Sequence, residues 1–189
     1  MYIVIEGIDT AGKSTQLDIL KKNYSDAVFT KEPGGTKIGL ELREMVLSAR
    51  AKSKIAEMFL FLADRAEHLE EVVKPNRGKM VISDRSFISG MAYAKDFPIS
   101  MTMELNKIAL DGIFPDKIIM LELSPEELSR RLAGKENDGI ESRGIEYLLE
   151  IQSKMKTIIG DLNINNLIVD ASLPIETIAK NIEDFMNGQ

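Results

Sequence analysis

Five short runs of β-branched and apolar residues punctuate the chain: YIVIE (2–6), AVFTK (27–31), MVIS (80–83), IIMLEL (118–123) and NLIVDA (166–171). Between them apolar residues recur at helical spacing, first Leu17, Leu20 and Tyr24, then Ile38, Leu42, Met45 and Val46, then Leu60, Ala63, Leu69, Val72 and Val73. The strand runs are apolar at consecutive rather than alternate positions, so both faces of such strands are covered. Strands of this kind alternating with helices predict an α/β fold, a five-stranded parallel sheet with helices on both faces in three layers. No internal repeat, low-complexity tract or Pro/Gly/Ser-rich linker interrupts the alternation, so residues 1–189 read as a single domain. One polar stretch stands out, AGKENDGIESRG (133–144), either a solvated loop or part of a mobile lid at about 130–144 that closes over a ligand.

The 189 residues are 44% hydrophobic, enough for a substantial core, and their formal net charge is −6. An acidic balance argues against a general nucleic-acid binder or membrane-surface protein, which needs a broad basic field, so an anionic ligand must be met by a local basic cluster. Cysteine is absent, which excludes disulfides and thiolate metal sites and suits a reducing compartment. The first strand begins at Tyr2, leaving no space for an N-terminal export signal, and the apolar runs are broken by charges well before membrane-spanning length. The expectation is a cytoplasmic protein.

Directly after the first strand stands GIDTAGKST, in which Gly7, Gly12, Lys13 and Ser14 fit GxxxxGK[ST] in full. The match lies between a predicted strand and a predicted helix, the context that a phosphate-binding loop requires. Gly7, Ile8, Asp9, Thr10, Ala11, Gly12, Lys13, Ser14 and Thr15 would wrap the phosphates of a nucleoside triphosphate with inward N–H groups, aided by the helix dipole. Lys13 would reach the β and γ phosphates, and Ser14 would offer its hydroxyl to Mg²⁺. Switches, motors and kinases all share this loop, so it leaves the fate of the phosphate open.

Later segments address that fate. KEPGGTKIGLELREMVLS (31–48) follows the second strand at the edge of the sheet where ligands bind, with Arg43 on the next helix. Phe61 and Arg65 are one helical turn apart, a stacking plate beside a fork of donors that suits a planar base. Asp84 and Arg85 end the third strand at the same edge. The sole histidine, His68, reads as a solvated or hydrogen-bonded helix residue, and a transition-metal site is not expected.

EGIDTAGKST, EPGGT, LFLADRAEH and DRSFISGMAY, in this order and at these separations, resemble the thymidylate kinase family, and the likeness runs through FPDKIIMLELSPE to the closing IVDAS. The resemblance implies a phosphate-loop NTPase fold and an enzyme that phosphorylates dTMP to dTDP with ATP and Mg²⁺, acting as a homodimer. It places Asp9 by the sugar 3′-hydroxyl and the acceptor phosphate, Phe61 on thymine, and Arg65 at the base edge. Arg43 would lie by the acceptor, Arg85 would hold the dTMP phosphate, and Ser89 and Tyr93 would line the base and sugar pocket. Glu32 would organise this edge, Asp170 to Ser172 would sit beside adenine, and Asp84 would order Mg²⁺ through water.

Two departures qualify the resemblance. The family places a transition-state arginine in the phosphate loop or in the lid, but the loop position here is Thr10 and the lid position is Gly139. Arg131 and Lys135, near Arg130 and Arg143, are therefore expected to neutralise the transferring phosphate and to complete the ATP site. Ser86 replaces an aromatic residue common in the family, and Gly90 replaces a polar residue that often contacts the base. Two other readings stay open beside the first: a phosphotransferase for another small acceptor, which Gly90 permits, and a nucleotide-binding switch, for which an NKxD-type base-reading segment is missing.

Overall fold

A computed structural model describes residues 1–133 and 144–188. The elements run β1 (Tyr2–Glu6), α1 (Lys13–Asn23), β2 (Val28–Lys31), α2 (Lys37–Leu47), α3 (Lys54–His68), β3 (Val81–Asp84), α4 (Phe87–Tyr93), α5 (Ile99–Ala109), β4 (Lys117–Glu122), α6 (Pro125–Leu132), α7 (Ile145–Asp161), β5 (Asn165–Asp170) and α8 (Ile175–Asn187). A π-helical turn, Leu69–Val73, continues α3. The five strands form one parallel sheet in the order β2-β3-β1-β4-β5, as the apolar pattern predicts. Most of the proposed lid, including Lys135 and Gly139, lies outside the described residues.

Strand burial follows position in the sheet. Central β1 and β4 carry Ile3, Val4, Ile5, Ile118, Ile119, Met120 and Leu121 with no exposed surface, while β5 at one edge leaves Asn165 and Asn166 in solvent. Hydroxyl residues start several helices by accepting an otherwise orphan backbone N–H: Thr36 from Gly39, Ser53 from Ala56, Ser86 from Ile88 and Ser124 from Glu127. Leu17 and Leu20 of α1 join the core, but Ile38 of α2 is 50% exposed. The reason is location, since α2 packs chiefly on α3.

The register brings the functional segments together. Ile5 of β1 pairs with Asp84 of β3, and Lys31 of β2 pairs with the same Asp84. Glu6 with the phosphate loop, Glu32 with the EPGG turn, and Arg85 therefore leave the sheet side by side. This is the carboxyl edge of a doubly wound sheet, where crevices for ligands form.

Candidate active site

The cleft above this edge has a volume of about 1570 Å³. That exceeds the roughly 300–1,000 Å³ of a single small-molecule pocket, so it has space for more than one ligand. Asp9, Lys13, Ser14, Glu32, Arg43, Phe61, Arg65, Asp84, Arg85, Ser89, Tyr93 and Arg131 all line it.

Gly12 caps α1 at φ 96, a left-handed geometry that costs glycine nothing, and α1 begins at Lys13. The Lys13 ammonium turns back over the loop and donates to the carbonyls of Gly7 (2.9 Å) and Ile8 (3.2 Å). Burial pushes its pKa down to about 8, with Arg85 adding repulsion and Asp84, Asp9 and Glu6 pulling the other way. Ser14 is exposed in the first turn, with no side-chain partner among the described residues.

Arg85 sits at φ 69, where its backbone N–H donates to Ile5 and its side chain swings across the sheet edge. The guanidinium donates from Nη1 to the Gly7 carbonyl (3.1 Å) and Ser89 Oγ (2.9 Å), and from Nη2 to Asp9 Oδ1 (2.5 Å). One carbonyl, Gly7, thus accepts from both Lys13 and Arg85, so the two cations stand next to each other. Behind Arg85 lies Glu6, fully buried, which accepts from Ser86 Oγ (2.6 Å), Ser89 Oγ and the Ser89 backbone N–H (3.3 Å). Burial raises the Glu6 carboxyl pKa, against the pull of these donors and of Arg85. An ionised carboxylate only accepts, so both serine hydroxyls donate to it, and the Ser89 lone pairs are left for Arg85. Ser86, which departs from the family pattern, has work here as a donor to Glu6 and as the cap of α4.

The α3 side of the cleft is built around Glu32. Its carboxylate accepts from Arg65 Nε (2.8 Å) and pairs with His68 Nδ1 (2.8 Å), while His68 Nε2 meets Thr30 Oγ1 (2.8 Å). Burial opposes ionisation of Glu32, but Arg65 and His68 outweigh it and hold the carboxyl below its usual range. His68 is thus hydrogen-bonded and buried rather than solvated. Arg65 also donates from Nη1 to Asn106 Oδ1 (2.7 Å), and Phe61, one turn earlier on α3, is half-buried in the cleft wall.

The EPGG turn is held from two sides. Arg43 Nη1 donates to the Pro33 carbonyl (2.9 Å), and the Gly34 N–H donates to Asp64 Oδ1 (2.8 Å). Gly34 has φ 103, and a Cβ there would come within 2.9 Å of Arg43 Cδ, so the turn requires glycine twice over. Asp64 is 1% exposed, and burial lifts its pKa to about 6. The folded state then binds a proton more tightly than the unfolded chain between about pH 4 and pH 6, so this group withdraws up to about 3 kcal/mol of stability as pH rises through that window. Asp64→Asn keeps an acceptor for Gly34 and removes the charge. Urea unfolding should show the variant gaining most of that amount on wild type between pH 4 and pH 6.5, whereas an unchanged difference would mean that Asp64 is not protonated there.

On the opposite side, Arg131 of α6 ties the loop to the end of β5. It donates from Nη1 to the Thr10 carbonyl (2.9 Å), from Nη2 to the Ala171 carbonyl (2.6 Å) and from Nε to Glu127 (2.6 Å). Nη1 also lies 3.6 Å from where a Gly12 Cβ would be, so the guanidinium covers the loop. Asp170 is exposed and does not join the cleft lining, because its carboxylate accepts from the Ser172 N–H (2.8 Å) in a local turn. Asp84 Oδ1 and Thr10 Oγ1 are buried without a partner among the described residues. With the Ser14 hydroxyl, Asp84 makes an all-oxygen donor set near the loop, which suits a hard cation that keeps phosphate and water ligands.

Four contributors escaped sequence reasoning: Glu6, Asp64, Asn106 and Glu127. Glu6 carried a signal, a carboxylate at the end of an otherwise apolar strand, beside the loop. Asn106 meets Arg65 only through tertiary packing, whereas Glu127 precedes Arg130 and Arg131 by three and four residues on one helix, a spacing that carried a local signal.

A family model described as thymidylate kinase matches residues 5–182. The chain is 63% identical over 187 residues to the thymidylate kinase of Aliarcobacter butzleri, covering 99% of both chains. It is 54% identical over 190 residues to the thymidylate kinase of Sulfurimonas denitrificans, covering 99% of this chain and 100% of that one. With that of Wolinella succinogenes it shares 54% over 178 residues, 94% of each. Likeness of this extent, over a parallel sheet whose loop and arginines meet at one edge, shows that the chain belongs to the thymidylate kinase family.

Proposed function

We propose that this protein transfers the γ-phosphoryl group of ATP to the 5′-phosphate of dTMP, forming dTDP for dTTP synthesis. The observation that carries the reading is the shared Gly7 carbonyl, which sets the lysine of the ATP loop beside an arginine facing the second half of the cleft. ATP would lie on the loop from Gly7 to Thr15, with adenine toward Ala171. The dTMP phosphate would take Arg85 and Arg43, its sugar Asp9 and Tyr93, and its base Phe61 and Arg65.

A phosphate oxygen of dTMP attacks the γ-phosphorus in line as the bond to the β-bridging oxygen breaks, and ADP leaves. The acceptor oxygen is already ionised at neutral pH, so no strong base is required. Lys13 follows the charge that builds on the β–γ bridge, while Arg85 offsets repulsion between the two phosphates. Mg²⁺, held by Ser14 and by Asp84 through water, would neutralise β and γ oxygens. Burial drives the Tyr93 hydroxyl up to about 12, against the pull of Arg85, so it stays neutral beneath the guanidinium, whose carbon lies 5.8 Å from the ring centre.

Arg131 would supply the charge that Thr10 and Gly139 do not, assisted by Lys135 on lid closure. Arg131→Ala is expected to lower kcat by about 10²-fold, since it lies over Gly12 and also links the loop to Ala171. If Arg131→Ala and Lys135→Ala each leave kcat within a few-fold of wild type, the assignment is wrong. The whole reading is tested by chromatography of products from ATP, Mg²⁺ and dTMP: dTDP and ADP should appear in equal amounts. ADP without dTDP would make the protein a hydrolase or switch instead.

The protein is proposed to work in the cytoplasm as a homodimer. Among the described residues no helix is long and apolar enough to cross a membrane. Ile38, Leu40 and Leu47 of α2, with Ile55 and Phe59 of α3, are each at least half exposed on two helices that pack on each other, an accumulation of exposed apolar side chains that a second copy would cover. Sedimentation at micromolar concentration should give a dimer, and Phe59→Glu should shift it to monomer. A wild-type monomer would remove the dimer from the account.

A further inference from the structure

The base side contains a fork whose third tine is free. Arg65 is 2% exposed and has two nitrogens engaged, Nε with Glu32 and Nη1 with Asn106 Oδ1. Asn106 is itself 3% exposed and anchored by Nδ2 donating to the Thr102 carbonyl (2.7 Å), so its oxygen is turned toward Arg65. Nη2 has no partner among the described residues. It lies against Gly90, where an added Cβ would come within 3.1 Å of Nη2, 3.4 Å of Nη1 and 3.6 Å of the guanidinium carbon. Gly90, Arg65 and Asn106 all line the cleft.

Locked at two nitrogens, the guanidinium has little freedom to yield to a methyl group at position 90. We propose that Gly90 and Asn106 are specificity-determining residues: together they hold Arg65 so that Nη2 is presented to the cleft as a donor. The inference rests on reading this half of the cleft as the dTMP site. A donor fixed in that place favours a pyrimidine with a carbonyl oxygen at position 4 and opposes one with an amino group there, because two donors then face each other. The 5-methyl group plays no part in this contact, so dTMP and dUMP share it and dCMP does not. The glycine that departs from the family pattern is thus a condition for the arginine's placement, and Asn106 on α5 is the positioning residue.

Steady-state kinetics of Gly90→Ala and Asn106→Ala, with dTMP and dCMP as acceptors, test the proposal. Alanine favours a helix more than glycine does, so a purely structural Gly90 predicts equal or greater thermal stability with unchanged KM. Our expectation is a KM for dTMP raised about 10- to 100-fold in both alanine variants, the cost of a misplaced charge-assisted hydrogen bond. KM for ATP should stay within about 3-fold, and the preference for dTMP over dCMP should fall. An unchanged KM for dTMP in the alanine variants overturns the proposal. So does a loss shared by dTMP, dCMP and ATP. Wild-type turnover of dTMP is read in the same experiment, so failure of the site's assignment is distinct from failure of this inference.

Discussion

Lys13→Ala lowers kcat by about 10³-fold or more, the scale seen when a preorganised cation is removed from a phosphoryl-transfer site. The side chain is 7% exposed and its two acceptors are loop carbonyls, so the ammonium is held over the loop where the phosphates of ATP are proposed to lie. A second consequence follows from its protonation. Burial, reinforced by Arg85, brings the ammonium to about 8, so the free enzyme loses this charge as pH rises through that value. The charged form is the one that attracts a triphosphate, and kcat/KM for ATP should therefore fall above about pH 8. Bound ATP stabilises the ammonium, so the corresponding limb in kcat should lie at higher pH. Pre-steady-state turnover of Lys13→Ala within about 10-fold of wild type would remove Lys13 from the chemical step.

Arg85→Ala is the second large effect. Its guanidinium joins two residues of the phosphate loop, Gly7 and Asp9, to Ser89 on α4. On the proposed placement of dTMP the acceptor phosphate would then lose a cation, and the Asp9 carboxylate that Arg85 pairs with would be left to repel it. We expect kcat/KM for dTMP to drop about 10³-fold, with KM for ATP changed far less. Arg85→Lys should recover little, because an ammonium is a point charge that does not span three separated acceptors. Equal loss for ATP and dTMP would mean that Arg85 supports the loop rather than the acceptor.

How much of this was legible in the residues depended on the range of the interaction. Strands announced themselves because central positions are buried on both faces: YIVIE is β1, and the other four runs match within one residue. The loop was legible because its glycines, lysine and serine are contiguous. Arg65 and His68 could be placed on one helix, yet that both close on Glu32 depends on the EPGG turn meeting α3, a contact across more than 30 residues. The pairing of Ser86 and Ser89 with Glu6 spans about 80 residues and leaves no periodic trace. Ile38 illustrates the converse, since helical spacing reveals an apolar stripe without revealing whether anything in the same chain covers it. The side chain of Asp170 closes a local turn, while the next residue's carbonyl receives Arg131, a long-range contact that the IVDAS segment does not announce.

The central claim is that the phosphate goes to thymidylate. The most direct measurement is kcat/KM from ADP release with ATP and Mg²⁺, taking dTMP, dCMP, dGMP and thymidine in parallel with a no-acceptor control. The account predicts rapid turnover with dTMP and turnover near the control for dCMP, dGMP and thymidine. Similar rates across the panel, or none above the control, would contradict it.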